Sequence, residues 1–96
     1  MIRHIVFFSA ANPDDVERIR EALMMLADIP HACHFEVGRN LQSDAIAGAR
    51  VDLVVYAEFE NEAALAAYKA HPIYAECIAL VRPLRDQRIA ADFKSG

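Results

Sequence analysis

The sequence predicts an α+β fold of the ferredoxin-like class, with one four-stranded antiparallel sheet and helices on one face. Two observations predict this class. Segments with alternating apolar residues and segments with helical periodicity follow one another in the order β-α-β-β-α-β, and the second helix is broken at His71-Pro72. In addition, two of the strands are apolar on both faces, although the helices can cover only one face of the sheet. The other face therefore needs a further cover.

The surplus apolar face is clearest in the strand at residues 51–59. Val54 and Tyr56 stand in the middle of one face, and the odd positions form an unbroken apolar row on the other. The opening strand repeats this pattern, so we expect a homodimer in which a second copy of the sheet covers the open face. The residues expected at this interface are Ile5, Phe7, Val54 and Tyr56, with Asp52 and Glu58 at its polar rim.

The first half of the chain is predicted to hold two strands around one helix. Ile2–Ser9 forms the first strand. Asn12-Pro13 begins the helix, because asparagine is a good N-cap and proline suits the first helical position, and the apolar stripe continues to about Asp28. Cys33–Val37 alternates as a half-buried strand, and residues 41–50 are predicted to form a loop.

The second half continues with the strand Val51–Phe59 and a helix that Asn61 caps. His71-Pro72 interrupts this helix, because a residue before proline avoids the α region. The helix resumes from the proline, and Arg88–Phe93 forms the last strand. The whole chain, residues 1–96, is predicted to be a single domain.

Composition narrows the range of partners. The net charge of −4 argues against nucleic acid, which requires a clustered positive surface; Arg82, Arg85 and Arg88 do cluster, but Asp86 interrupts them. No apolar run approaches the ~18 residues that a membrane span needs. We therefore expect no nucleic-acid or membrane partner and a cytoplasmic location with reduced thiols. The two cysteines, which lack a CxxC spacing, are predicted to be core residues: Cys33 and Cys77.

Five short segments, in order along the chain, resemble a known family. They are Met1–Phe8, Phe35–Asn40, Tyr68–Pro72, Val81–Leu84 and Ala91–Phe93. Their succession is similar to that of the stress-responsive dimeric α+β barrel (Dabb) domains. The resemblance implies a homodimer in which two sheets face each other as a barrel with the helices outside.

The resemblance also implies a pocket between sheet and helices. One enzyme of the family is a cyclase that closes a linear polyketide there by an intramolecular aldol condensation. Its first-strand histidine corresponds to His4 and its helix tyrosine to Tyr68, whereas its catalytic histidine falls on Tyr74 and a further pocket histidine on Leu53. A phenol with a pKa near ~10 is a poor base at neutral pH compared with an imidazole near ~6.5. These departures favour ligand binding over proton abstraction.

The candidate ligand-binding residues are His4, Tyr68, His71 and Tyr74, and all of them except His71 are also the catalytic candidates. Three of these residues have a structural alternative. His4 would serve equally as a buried neutral imidazole, and Tyr68 as a core residue with its hydroxyl at a rim. His71 would hold the helix break through a ring hydrogen bond to a backbone carbonyl.

Neither a metal nor a cofactor is predicted. His31 and His34 straddle a turn, and the three glycines form no phosphate-binding loop. The sequence favours a homodimer of unassigned activity that binds a small apolar or aromatic molecule, or that acts as a stable stress-related scaffold. The alternative is a cofactorless lyase, cyclase or monooxygenase acting on a polyketide-like or aromatic substrate, which rests on fold-level analogy.

Overall fold

A computed structural model describes residues 1–44 and 50–95, so the middle of the predicted 41–50 loop lies outside the described residues. One sheet layer and one helix layer give a slab whose Cα extents are 35 × 30 × 16 Å. The elements in chain order are β1 (Ile2–Ala10), α1 (Val16–Met24), β2 (His34–Arg39), β3 (Leu53–Phe59), α2 (Glu62–Ala70), α3 (Pro72–Val81) and β4 (Arg85–Lys94). This order confirms the predicted ferredoxin-like class.

The four strands form one antiparallel sheet in the order β2-β3-β1-β4. The register aligns His4 with Ala57 on one side and with Asp92 on the other. Directly opposed residues share a face of the sheet, so this row lies on the helix-covered side. The neighbouring row, Glu36–Tyr56–Ile5–Ala91, lies on the open side.

The first helical segment begins as the sequence predicts. The Asn12 side chain accepts the Asp14 N–H at 3.0 Å, and Pro13 opens a short 3-10 turn that leads into α1. A second 3-10 turn, Met25–Asp28, completes the segment. The predicted stripe lies against the sheet, since Ile19, Leu23 and Leu26 are buried.

The break between α2 and α3 has a defined geometry. Asn61 caps α2 by accepting the Ala64 N–H at 2.9 Å. His71 adopts an extended conformation, as a residue before proline should, and Nδ1 of its ring accepts the Ile73 N–H at 3.1 Å. The ring therefore holds the break through a backbone N–H instead of the predicted carbonyl.

The two faces of the sheet differ in burial as predicted. On the helix side, the odd positions of β3 are 0–1% exposed from Leu53 to Phe59, and they join the helices in one apolar core. On the open side, Val54 and Tyr56 are only half-buried. The helices therefore bury only one of the two faces of the sheet.

Four details differ from the sequence-based predictions. β4 begins at Arg85, three residues early, because a bulge extends its pairing with β1. β3 begins at Leu53, since Asp52 leaves the ladder. Asp52 is buried, not at a rim, because its carboxylate accepts the Ala10 N–H at 2.9 Å. Cys33 is exposed, because it precedes β2 at the edge of the sheet, whereas Cys77 is buried.

Within the described residues, no helix is both long and apolar enough to cross a membrane.

Candidate functional site

A cavity of about 290 Å³ lies between the sheet and the helices. Its walls combine β1, β3 and β4 with α1, the 3-10 turn after it, α2 and α3, so it occupies the space left where the helix layer does not fully cover the sheet. The apolar part of its lining comes from Val6, Phe8, Leu23, Leu26, Val55, Ile78 and Val81. Three of the four predicted ligand-binding residues also line it: His4, Tyr68 and Tyr74.

His4 is a fully buried polar residue of the cavity lining. It is 1% exposed, and its Nδ1 makes a short hydrogen bond with the carboxylate of Asp92, directly opposite on β4. Because a carboxylate only accepts, Nδ1 carries the proton. In a neutral ring, Nε2 therefore carries the free lone pair. This atom has no hydrogen-bond partner within residues 1–44 and 50–95.

Burial lowers the pKa of His4 below its ordinary value of about 6.5, because desolvation disfavours the imidazolium. The Asp92 carboxylate acts in the opposite direction, but it is about one-third exposed and also lies 3.7 Å from Nζ of Lys69. The charges of Lys69 and Arg88 lower the pKa further. His4 is thus a neutral, oriented imidazole at neutral pH.

The hydroxyl of Tyr68 is the second notable group. Tyr68 is 1% exposed, and its ring packs at 4.9 Å from that of Phe59 and 6.0 Å from that of His4. Its oxygen is buried without a hydrogen-bond partner in the described protein, not at a rim as the packing alternative predicts. Burial raises the pKa of this phenol well above 10, so it remains a donor at all physiological pH values.

Tyr74 lies closer to the surface. It is half-buried on α3, its ring is 5.4 Å from that of Tyr68, and its hydroxyl accepts an N–H of Arg88 at 3.1 Å.

Cys77 contributes a thiol to the same wall, and burial raises the pKa of that thiol to about 11. This thiol is therefore protonated at neutral pH and is a weak nucleophile.

His71, the fourth predicted ligand-binding residue, is not among the residues that line the cavity. Its ring is used at the helix break and packs at 6.4 Å from that of His31. The sequence did not assign two polar features to this region. The cluster Arg82, Arg85 and Arg88 lines the cavity, and Asp92, which is not among the lining residues, binds His4. Asp92 and Arg88 occupy even positions of β4, opposite His4 and Phe8.

The arrangement is suited to hold a small molecule that carries a hydrogen-bond acceptor and a donor. Tyr68 offers an O–H, and Nε2 of His4 offers a lone pair. Both sit beside apolar walls, which strengthen such bonds because water is excluded. Within residues 1–44 and 50–95, no group of three or more His, Cys, Asp or Glu side chains is placed to hold a metal ion.

The open face of the sheet is the second candidate site. Large hydrophobic side chains are exposed in neighbouring positions of β1 and β4: Phe7 is 39%, Ile89 56% and Phe93 49% exposed. At one end of this face, the Tyr56 hydroxyl donates to Glu58 and accepts from Arg3 at 3.2 Å. The bond to Glu58 raises the pKa of Tyr56 above 10. The four predicted interface residues all lie on this face: Ile5, Phe7, Val54 and Tyr56.

Comparison with known families places this fold and site in a class. Residues 2–95 match the stress responsive A/B barrel domain family, Dabb. The match covers nearly the whole chain, so the protein belongs to this family, as its sequence motifs indicate. The curated proteins give no match to the chain.

Solved structures agree with this assignment. A dimeric ferredoxin-like protein of unknown function from Thermobifida fusca is 32% identical, over 96% of this chain and 88% of that chain, with a TM-score of 0.76. A Dabb family protein from Mesorhizobium loti is 22% identical over 98% and 95% of the two chains, with a TM-score of 0.80. An antibiotic biosynthesis monooxygenase is 12% identical over 100% and 99%, with a TM-score of 0.79. The last two likenesses show the fold alone.

Proposed function

We propose that this protein binds a small apolar or aromatic molecule in the cavity between sheet and helices. The buried Tyr68 hydroxyl is the observation that carries the proposal. A buried hydroxyl without a partner costs about 1–3 kcal/mol, and a ligand that accepts its hydrogen bond would remove that cost. The neighbouring His4 lone pair and the apolar walls support the same use.

A screen of small aromatic compounds by thermal shift tests this proposal, since a ligand that binds only the native state raises the melting temperature as its concentration increases. Bound compounds should shift the NMR resonances of Tyr68 and Val55. The Tyr68→Phe variant should bind compounds with a carbonyl or phenol oxygen about tenfold more weakly, because one hydrogen bond to the ligand is lost.

Ala66→Asp is the matched control, because Ala66 is exposed on α2 and does not line the cavity. It should leave binding unchanged. A screen without any binder, or equal binding by Tyr68→Phe and the unchanged protein, would contradict the proposal and favour the scaffold role.

We further propose that the protein is a homodimer assembled through the open face of the sheet. The exposed Phe7, Ile89 and Phe93 support this, because they form a continuous apolar area that a monomer leaves in water. The relatives described as dimeric and ferredoxin-like support it as well. Light scattering should give twice the chain mass of 10.7 kDa, and a stable mass of one chain would contradict this assembly.

A cofactorless enzyme is the second candidate function. It is favoured by the pairing of His4 with Asp92, which directs a basic Nε2 toward the cavity and would stabilise the imidazolium after proton uptake. The similarity to the fold of an antibiotic biosynthesis monooxygenase also supports an enzyme, but only as an analogy between folds. Oxygen uptake and product mass with a panel of phenols and polyketide-like compounds would test it: His4→Asn should remove any turnover and retain binding.

A cytoplasmic location completes the proposal. Cys33 and Cys77 are both free thiols, and Cys33 is exposed. Exposed free thiols are typical of reducing compartments. Cell fractionation with an epitope-labelled chain would check this location.

A further inference from the structure

The cationic side chains of this protein are unevenly neutralised. Within residues 1–44 and 50–95, six of the ten Lys and Arg side chains lie within 4.0 Å of a carboxylate. Of the other four, Arg20 lies on α1 outside the cavity lining. The remaining three all line the cavity: Arg82, Arg85 and Arg88. The chain has more acidic than basic side chains, 14 against 10, so this grouping does not reflect a shortage of acids.

A β-bulge brings two of these arginines to the same face. Phe8 pairs with Arg88, but two residues further along β1, Ala10 pairs with Arg85, three residues away on β4. In a regular strand, residues 85 and 88 would point to opposite faces; the extra residue of the bulge turns Arg85 to the side of Arg88. Ser9 holds the bulge, since its buried Oγ accepts the Gln87 N–H at 3.0 Å.

The arginines stand at the mouth of the cavity. Arg82 and Arg88 are exposed and Arg85 is half-buried, whereas the rest of the lining is apolar except for His4, Tyr68, Tyr74 and Cys77. No carboxylate lines the described cavity. Burial is the main cause of the pKa shifts of His4 and Tyr68. The charge of Arg88 acts on both groups as well, in the lowering direction, so its field reaches the inner polar groups.

We propose that the cavity takes an amphiphilic carboxylate, with its apolar body against the sheet and its carboxylate held by Arg82, Arg85 and Arg88. This inference rests on the proposed function and adds the charge of the ligand. Guanidinium groups bind carboxylates through paired, charge-assisted hydrogen bonds.

The test compares molecules that differ only in charge. Aryl and alkyl carboxylates, each paired with the primary amide of the same skeleton, are titrated into the full-length protein and followed by calorimetry and NMR. We expect the acids to bind about tenfold more tightly than their amides. We also expect the acids to weaken as salt is raised, because the arginines lie near solvent.

The variant Arg82→Gln/Arg88→Gln should strongly reduce the preference for acids, because it removes two of the three guanidinium groups that line the cavity. Both positions are exposed, so folding should be retained. Arg20→Gln, which removes the other unpaired arginine, is the matched control and should keep the preference.

The outcomes separate this inference from the proposed function. Equal binding of acids and amides, or tighter binding of amides, would overturn the carboxylate assignment and still support a ligand cavity. An undiminished preference for acids in Arg82→Gln/Arg88→Gln would overturn the role of the arginines. Failure of both series to bind would overturn both proposals.

Discussion

At the scale of single residues, burial and the partner Asp92 determine the tautomer and the charge of His4. Asp92 fixes the proton of His4 on Nδ1, and desolvation keeps the ring neutral. Tyr68 is placed beside it with an unused hydroxyl. The sequence indicated that His4 and Tyr68 share a neighbourhood, but the partner of His4 lies 88 positions away and was not predictable from local pattern.

The depressed pKa of His4 predicts a pH dependence of stability. The unfolded chain takes up a proton near its ordinary pKa of about 6.5, whereas the folded chain takes it up only at a lower pH. Stability from His4 is therefore complete above about pH 6.5 and is lost as the pH falls toward the lower folded pKa. Urea unfolding at successive pH values should show a steeper acid loss for the natural chain than for His4→Asn, which keeps a donor to Asp92. Parallel curves would contradict this prediction.

Tyr68→Phe should raise the free energy of unfolding of the unliganded protein by about 1–3 kcal/mol, because it removes a buried hydroxyl that has no hydrogen bond to the described protein. Urea titration measures this difference. Tyr68→Ala is the contrasting variant and should lose about 3–5 kcal/mol, since it removes a large buried ring. A large loss in Tyr68→Phe would mean that the hydroxyl has an unrecognised structural partner.

At the scale of elements, irregular features shape the cavity. The break at His71-Pro72 divides one predicted helix into α2, which presents Tyr68, and α3, which presents Tyr74. The bulge in β4 redirects Arg85 toward the same cavity. The proline made the break predictable, whereas the bulge depends on a hydroxyl of the neighbouring strand and gave no signal in β4 itself.

Ser9→Ala tests the bulge. Removal of the hydroxyl leaves the Gln87 N–H unpaired, which should lower the free energy of unfolding by about 1–2 kcal/mol and weaken carboxylate binding. Ser95→Ala is the matched control, because Ser95 Oγ bonds only to the exposed Met1 terminus at 3.2 Å. Urea unfolding and calorimetry measure both effects. Equal stability of the two variants would argue that Ser9 does not hold the bulge.

At the scale of the whole molecule, one layer of helices covers one face of a sheet whose strands are apolar on both. The open face carries Phe7, Val54, Tyr56 and Ile89 in adjacent strands. A slab only 16 Å thick between Cα extremes cannot enclose that face by itself. The proposed interface and the proposed ligand cavity lie on opposite faces of the sheet, so each can be altered without directly altering the other.

Val54→Asp should therefore convert the proposed dimer into monomer or aggregate, because burial of an unpaired carboxylate costs several kcal/mol, comparable with the stability of a small domain. Size-exclusion chromatography with light scattering measures the change. Ala66→Asp, on the exposed surface of α2, should elute unchanged. If Val54→Asp also elutes unchanged, the open face is not the interface.

The sequence by itself determined the features that depend on local periodicity and local chemistry. These are the order of the elements, the caps at Asn12 and Asn61, the break at Pro72 and the two faces of β1 and β3. Only the tertiary structure decided the pairing of His4 with Asp92, the isolation of the Tyr68 hydroxyl and the placement of the arginine cluster at the cavity. Those features depend on register between distant strands and on the volume that several packed elements leave between them, which no single segment encodes.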